Sequence, residues 1–279
     1  MISQRPGPES AVISSLHNRR IVEARKLEQR KHRRQQGRFL VEGLQLLHMA
    51  LDAGAQPLEV FYCESQFEGS EAPLLLDRFG QAGAELVPVS PPVMATLSER
   101  DVPQGMVATF ALFETPLQAL HPAGGELVVV LDRLQDPGNM GTLIRTADAV
   151  GAAAAILIEP SVDPFDPKTV RGSMGSLFNL PLVRTADVPG LFAYLRAQGL
   201  RLVGADAQLG EAWGDGAWGG GVALILGNEA RGLSSDVQPH VEAWVRLPIV
   251  GKAESLNVAV AGGVLMYAWL RVNRAHLLK

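Results

Sequence analysis

Asn139, Arg145, Glu229, Ser255 and Asn257 are the side chains of this sequence best placed to do chemistry on a ligand. They fall in three polar stretches: LDRLQDPGNMGTLIRTADAVGA (131–152), LILGNEARGLS (224–234) and LPIVGKAESLNVAVAGG (247–263). Each stretch follows an apolar run that stops abruptly. Gly227 and Gly232 flank the second and would let a ligand approach the backbone closely. Taken singly, each residue also has an ordinary reading. Asn139 suits a helix N-cap, Ser255 suits another, Arg145 could pair with Asp148 one turn on, and Glu229 could be a solvated loop acid. None of the stretches has the glycine spacing of a dinucleotide or triphosphate cradle.

The elements that carry these stretches follow from the apolar pattern. Near-continuous apolar runs at 126–132, 153–159, 201–206, 222–227 and 243–249 read as buried strands. Helical patterns lie near 139–150, 167–177, 187–198 and 255–273. Strands alternating with helices predict a parallel sheet covered on both faces, and ligands of such sheets bind beyond the carboxyl ends of the strands. All three polar stretches are then at ligand-facing strand ends. Gly262 and Gly263 lie inside the last helix, where a glycine costs about 1 kcal/mol relative to alanine, so another backbone must pack closely there.

The first half of the chain alternates more briefly. Residues 1–12 read as a flexible tail and 15–36 as one basic helix with Ile21, Val22 and Leu27 as its apolar side. Short strands follow at 38–43, 58–64, 84–90 and 105–112, with helices at 44–54, 74–83 and 92–99. This predicts a small α/β domain over 1–112. A Pro- and Gly-containing linker over 113–125 then leads to a second domain over 126–279.

Composition narrows the class. The chain has 279 residues, 47% of them hydrophobic, with no apolar run of membrane-spanning length and no signal-peptide pattern at the N-terminus. It has one cysteine, and its six histidines are never within ten residues of one another, so no metal site is expected. These features suggest a cytoplasmic protein. The net charge is −4, but residues 16–38 carry nine Lys/Arg against two Glu, leaving about −11 elsewhere. A basic segment on an acidic protein is either an electrostatic footprint for an anionic polymer or a solvated helix face.

Taken together, D-P-G-N-M-G-x-x-x-R-T-A-D-A, L-G-N-E-A-R-G-L-S and L-P-x-x-G-x-x-x-S-L-N-V-A-V-A resemble the three signature motifs of the SpoU/TrmH family. These are S-adenosylmethionine-dependent RNA ribose 2′-O-methyltransferases of the SPOUT class. The likeness covers 125–279 in the family's order and departs mildly at DPGN, where NPHN or similar is common. The segment RRIVEARKLEQRKHRRQQGRFLVEG more loosely resembles the substrate-binding domain of members that act on ribosomal RNA.

The resemblance implies a C-terminal trefoil knot whose loops hold a bent S-adenosylmethionine at Gly227, Leu247 and Leu256, with Ile249 nearby. It implies that Arg145 is essential, holding phosphate and stabilising a developing alkoxide. Asn139 would orient Arg145 or the ribose, Glu229 would fix the loop or Arg145, and Ser255 and Asn257 would bond near the target nucleotide. It further implies a homodimer, with the arginine often supplied by the partner chain, and no metal. Arg19, Arg20, Lys26, Arg30, Arg33 and Arg38 would track RNA phosphates. The expected substrate is 23S ribosomal RNA. A transfer-RNA enzyme and a non-catalytic RNA-binding ribosome-assembly factor are the rival expectations.

Overall fold

The computed structural model describes residues 11–98, 103–122, 125–213 and 216–274. The chain divides into two compact units, Met1–Leu112 and Phe113–Lys279. The first ten residues of the expected tail lie outside the described residues. Just beyond them Ile13 is already tied in, donating to Pro88 O at 2.9 Å and accepting from Ser90 N at 3.0 Å.

In the first unit, β1 (Arg38–Glu42), β2 (Pro57–Tyr62), β3 (Glu85–Pro88) and β4 (Met106–Ala111) form a sheet of order β1-β4-β2-β3. Strand β4 is antiparallel to both neighbours, and β2 and β3 are parallel. Helices α3 (Leu44–Asp52), α4 (Glu71–Gln81) and α5 (Pro91–Leu97) connect the strands. Ile21 and Ala24 are fully buried with Phe61, Val93 and Val107 in one core cluster.

The single basic helix expected at 15–36 is instead two: α1 (Arg19–Arg25), a 3₁₀ turn over Lys26–Glu28, and α2 (Arg30–Gln36). Gln29 between them is extended. Every residue near the break is a good helix former, so tertiary contacts impose it. Leu27 is fully buried. Arg33, only 2% exposed, donates from Nη1 to the carbonyls of Leu27 and Glu28, both at 2.8 Å. The guanidinium thus satisfies carbonyls that the broken helix leaves unpaired.

In the second unit, β5 (Leu127–Asp132), β6 (Ala154–Ile158), β7 (Leu182–Thr185), β8 (Arg201–Ala205), β9 (Glu211–Ala212), β10 (Val222–Leu226) and β11 (Ala243–Arg246) form one sheet. Its order is β7-β6-β5-β10-β8-β11-β9 and every pairing is parallel. Two short edge strands, β7 and β9, carry too few residues to show a pattern in the sequence. Each of β5, β6 and β10 is buried along its whole length. Helix α8 (Val188–Ala197) covers one face, packing Leu191, Phe192 and Leu195 against Val128, Val130, Ile156 and Ile225.

Helices α7 (Pro167–Ser173) and α9 (Val258–Asn273) each pack on α6 (Pro137–Ala149). Glycine lets α6 and α7 meet at backbone distance. A Cβ added to Gly141 would lie 2.7 Å from Thr169 O and 2.9 Å from Gly172 Cα. At Gly262 of α9 the close neighbours are side chains and not the expected backbone: a Cβ would fall 2.6 Å from both Leu143 Cδ2 and Leu226 Cδ1, while at Gly263 only Thr146 Cγ2 comes near, at 3.8 Å.

Two helix starts differ from expectation. Asp136, not Asn139, caps α6, because Pro137 has no N–H to lose and occupies the first turn. Asn257, not Ser255, caps α9, its Oδ1 accepting from Ala259 N at 2.9 Å and Val260 N at 3.2 Å.

Candidate active site

The first shift frees the Asn139 side chain, and the second leaves Asn257 with its oxygen on α9 and its Nδ2 available. Asn139, no longer a cap, donates from Nδ2 to Glu229 Oε1 at 3.1 Å. Asn257 donates from Nδ2 to Asn139 Oδ1 at 2.9 Å. Glu229 also accepts from Gln135 N and Asp136 N, each at 3.3 Å. The chain Glu229–Asn139–Asn257 therefore ties the loops after β5, β10 and β11 into one unit. Its polarity is fixed at both ends. A carboxylate can only accept, and the α9 amides can only donate, so each amide between them has one permitted orientation.

A second cluster holds the same loops from behind. Asp132, fully buried at the end of β5, accepts Ser234 N and Ser234 Oγ, both at 2.7 Å, and Arg133 Nη1 at 2.9 Å. Arg133 makes a two-pronged pair with Asp236 at 3.0 and 2.8 Å. The guanidinium holds the Asp236 carboxyl at about 2, below its ordinary 3.8. The Arg133 carbonyl accepts Asn228 Nδ2 at 2.8 Å, and Asn228 and Gly232 exchange two main-chain bonds at 2.9 Å that close the loop. Asp132, Arg133, Ser234 and Asp236 were not singled out from the sequence. An acid ending a wholly buried strand was the available signal.

Two cavities adjoin at this junction. The first, about 380 Å³, is lined by Gly227, Leu247, Ile249 and Leu256 together with Leu226 and Leu265. The second, about 690 Å³, is lined by Asn139, Asn257, Gln135 and Asp136. Asn228, Glu229, Ala230, Ser255, Leu256 and Val258 line both, so they form the shared wall. Between Leu247 and Leu256 the chain is neither helix nor strand, which leaves main-chain groups without a ladder partner beside the first cavity. Ser255 is exposed at the wall. Arg145 lines neither cavity. It is exposed on α6, and its side chain makes no ion pair or hydrogen bond with any described residue, Asp148 included.

Residues 126–267 match the model of the SpoU rRNA Methylase family, which is half of the chain. The chain belongs to this family. Residues 18–108 match the MRM3-like substrate binding domain. Among SpoU relatives, the 23S rRNA (guanosine(2553)-2′-O)-methyltransferase of Bacillus subtilis is 32% identical over 91% of this chain and 97% of its own. The 23S rRNA (uridine(2479)-2′-O)-methyltransferase of Streptomyces viridochromogenes is 32% identical over 88% and 86%. The crystal structure of an AdoMet-bound rRNA methyltransferase from Sinorhizobium meliloti matches with a TM-score of 0.85 at 35% identity, covering 96% of this chain and 98% of that one.

The first cavity suits such a donor. Its volume lies within the range of small-ligand pockets, and its apolar walls with uncommitted main-chain groups can take a purine. Among the described residues no group of three or more His, Cys, Asp or Glu is arranged to hold a metal. No helix among them is long and apolar enough to cross a membrane.

In the first unit the six candidate phosphate-tracking residues separate. Arg19 is exposed. Arg20 bonds Glu59 at 2.8 Å and also Glu85, and Arg38 bonds the same Glu59. Lys26 pairs with Glu23 at 2.8 Å, and Arg30 is half-buried. Arg33 is turned inward, so its expected role as an RNA contact is replaced by that of a helix-joint clamp. Arg25, Lys31 and Arg34, not singled out from the sequence, are exposed.

Proposed function

We propose that this protein transfers the methyl group of S-adenosylmethionine to a ribose 2′-hydroxyl of 23S ribosomal RNA, acting as a cytoplasmic homodimer. The observation that carries this reading is the Glu229–Asn139–Asn257 chain at the wall between two cavities. Its family membership supplies the reaction class. The two relatives above are named for a guanosine and a uridine, so the shared machinery addresses the ribose and not the base.

The donor, once bound, supplies an electrophilic methyl group. Gly227, Leu247, Ile249 and Leu256 would hold its nucleoside in the first cavity. Asn139 and Asn257 would orient the target nucleotide in the second, with Ser255 bonding near it, so that the hydroxyl meets the methyl in line across the shared wall. Glu229 would fix the loop against α6. Arg145 would hold an RNA phosphate and stabilise charge developing on the 2′-oxygen. Its distance from both cavities of its own chain fits an arginine supplied to the partner's site. Val260, Val264 and Tyr267 are exposed on α9, the helix that packs on α6, and give that dimer an apolar contact face. The tight approaches at Gly227 and Gly262 suit a chain threaded as a trefoil knot. Arg19, Arg25, Lys26, Lys31 and Arg34 of the first unit would track RNA phosphates.

Transfer of labelled methyl groups to bulk ribosomal and transfer RNA tests the reading, followed by mapping of ribose methylation in cells with and without the protein. The expected result is incorporation into 23S ribosomal RNA. Label in transfer RNA alone would make it a transfer-RNA enzyme, and label in neither would make it a non-catalytic RNA-binding factor.

A further inference from the structure

We infer that Asp206 recognises the ribose hydroxyls of the nucleoside donor, a role that rests on reading the first cavity as the donor site. Asp206 stands immediately after β8, which lies between β10 and β11 in the sheet. Its position therefore falls between Gly227 at the end of β10 and Leu247 at the end of β11, the two residues that frame the apolar slot. Asp206 lines the first cavity and not the second.

The carboxylate is held rather than loose. Asp206 N donates to Val245 O at 3.0 Å. Oδ1 accepts Gln208 N at 2.7 Å and Leu209 N at 2.9 Å. The turn is then pinned to β11. Arg246 Nε donates to Gly210 O at 3.1 Å, and a Cβ at Gly210 would lie 2.1 Å from the Trp244 carbonyl. Oδ2 accepts no hydrogen bond from any described residue.

The other charged groups of this cavity are largely committed or of the wrong sign, and its Gln208 and Ser255 side chains are neutral. Glu229 already accepts three donors, and Asn228 uses its amide on Arg133 O and Ala230 N. Arg231 can only donate. Asp206 is thus the carboxylate here with one whole oxygen, Oδ2, uncommitted among the described residues. A vicinal diol offers two O–H donors, and a ribose joined directly to a purine in the slot sits next to the slot's edge. The amino-acid tail would begin beyond the sulfur, and the methyl would face the second cavity, which Asp206 does not line.

Calorimetric binding of S-adenosylhomocysteine and of 5′-methylthioadenosine, which keeps the ribose but lacks the amino-acid tail, tests the assignment. Asp206→Asn keeps the Oδ1 acceptor and the turn while removing the free anionic oxygen. Asp206→Ala removes both, and thermal melting of each variant reports folding. The expected result is that Asp206→Asn weakens both ligands by the same factor, about tenfold or more. Weakening of S-adenosylhomocysteine alone would assign the carboxylate to the α-ammonium and overturn the inference, as would unchanged binding of both. If the unaltered protein binds neither ligand, the donor-site reading itself fails and this inference with it.

Discussion

Glu229 accepts the side-chain amide of Asn139 at 3.1 Å across ninety positions of sequence. With Gln135 N and Asp136 N as further donors, the carboxylate joins the loop after β10 to the start of α6. Because Asn139 passes its own oxygen to Asn257, disturbance at Glu229 reaches the cap of α9.

Replacing Glu229 with Gln should therefore do more than remove a charge. One half of the new amide must aim N–H groups at existing donors. Loss of a charge-assisted bond costs about 1.5–3 kcal/mol. Methyl transfer under single-turnover conditions should fall roughly 10- to 100-fold. A rate within twofold of the parent protein would show that the amide chain does not position the site.

Arg145→Ala should abolish methyl transfer and leave donor affinity unchanged, since Arg145 lines neither cavity of its own chain. Mixing Arg145→Ala with Glu229→Gln protomers should restore activity to about a quarter, because half of the dimers gain one intact site. No recovery above the sum of the separate variants would place the arginine in its own protomer's site.

Gly227 and Gly262 should respond differently to alanine. At Gly227 the new Cβ would meet main-chain atoms, Gly232 C at 2.3 Å and Leu233 N at 2.5 Å, which cannot give way. Donor binding should be lost together with stability. At Gly262 the neighbours are methyl ends of Leu143 and Leu226, so repacking should limit the cost to about 1–3 kcal/mol. Thermal melting and calorimetry separate the two, and equal losses at both positions would contradict the assignment.

The Arg133–Asp236 pair sets a pH dependence. The carboxyl is depressed to about 2, so its contribution is complete above the ordinary value of 3.8 and disappears as pH falls toward 2. Asp236 is about half exposed, which limits the effect to under about 1 kcal/mol. Asp236→Asn should melt slightly below the parent at pH 7, and the gap should narrow below pH 4 and close only near pH 2. A gap that widens on acidification would reverse the sign of the interaction.

Substituting Arg25, Lys31 and Arg34 together with Gln should weaken RNA binding and reduce the log–log salt slope by about 2. Arg33→Ala should lower the melting temperature through its two carbonyl bonds and change the salt slope little. An unchanged slope in the triple variant would move the RNA contact elsewhere.

Most of the second unit was legible because buried parallel strands write unbroken apolar runs, and the motif spacing identified the ligand-facing ends. Asn139 and Asn257 stood out in the motifs, but the partners they meet did not. Which amide caps a helix and which faces another loop depends on where Pro137 forces α6 to begin and on contacts 90 and 118 residues away. The break at Gln29 was hidden for a related reason. Nothing in RKLEQRKH disfavours a continuous helix, and only the burial of Leu27 and Arg33 interrupts it. Charge counting could likewise not tell Arg33, turned inward, from Arg34, turned out. Asp206 left no mark in composition or spacing, because its role follows from the sheet order that sets β8 between β10 and β11.

Asn257 couples two events in time. Its oxygen starts the last helix and its amide completes the polar chain, so neither can be finished before the other. A nascent chain that has emerged only as far as the loop after β11 has no α9 amides to set the orientation of Asn257. The polar chain is then completed only once α9 has left the ribosome.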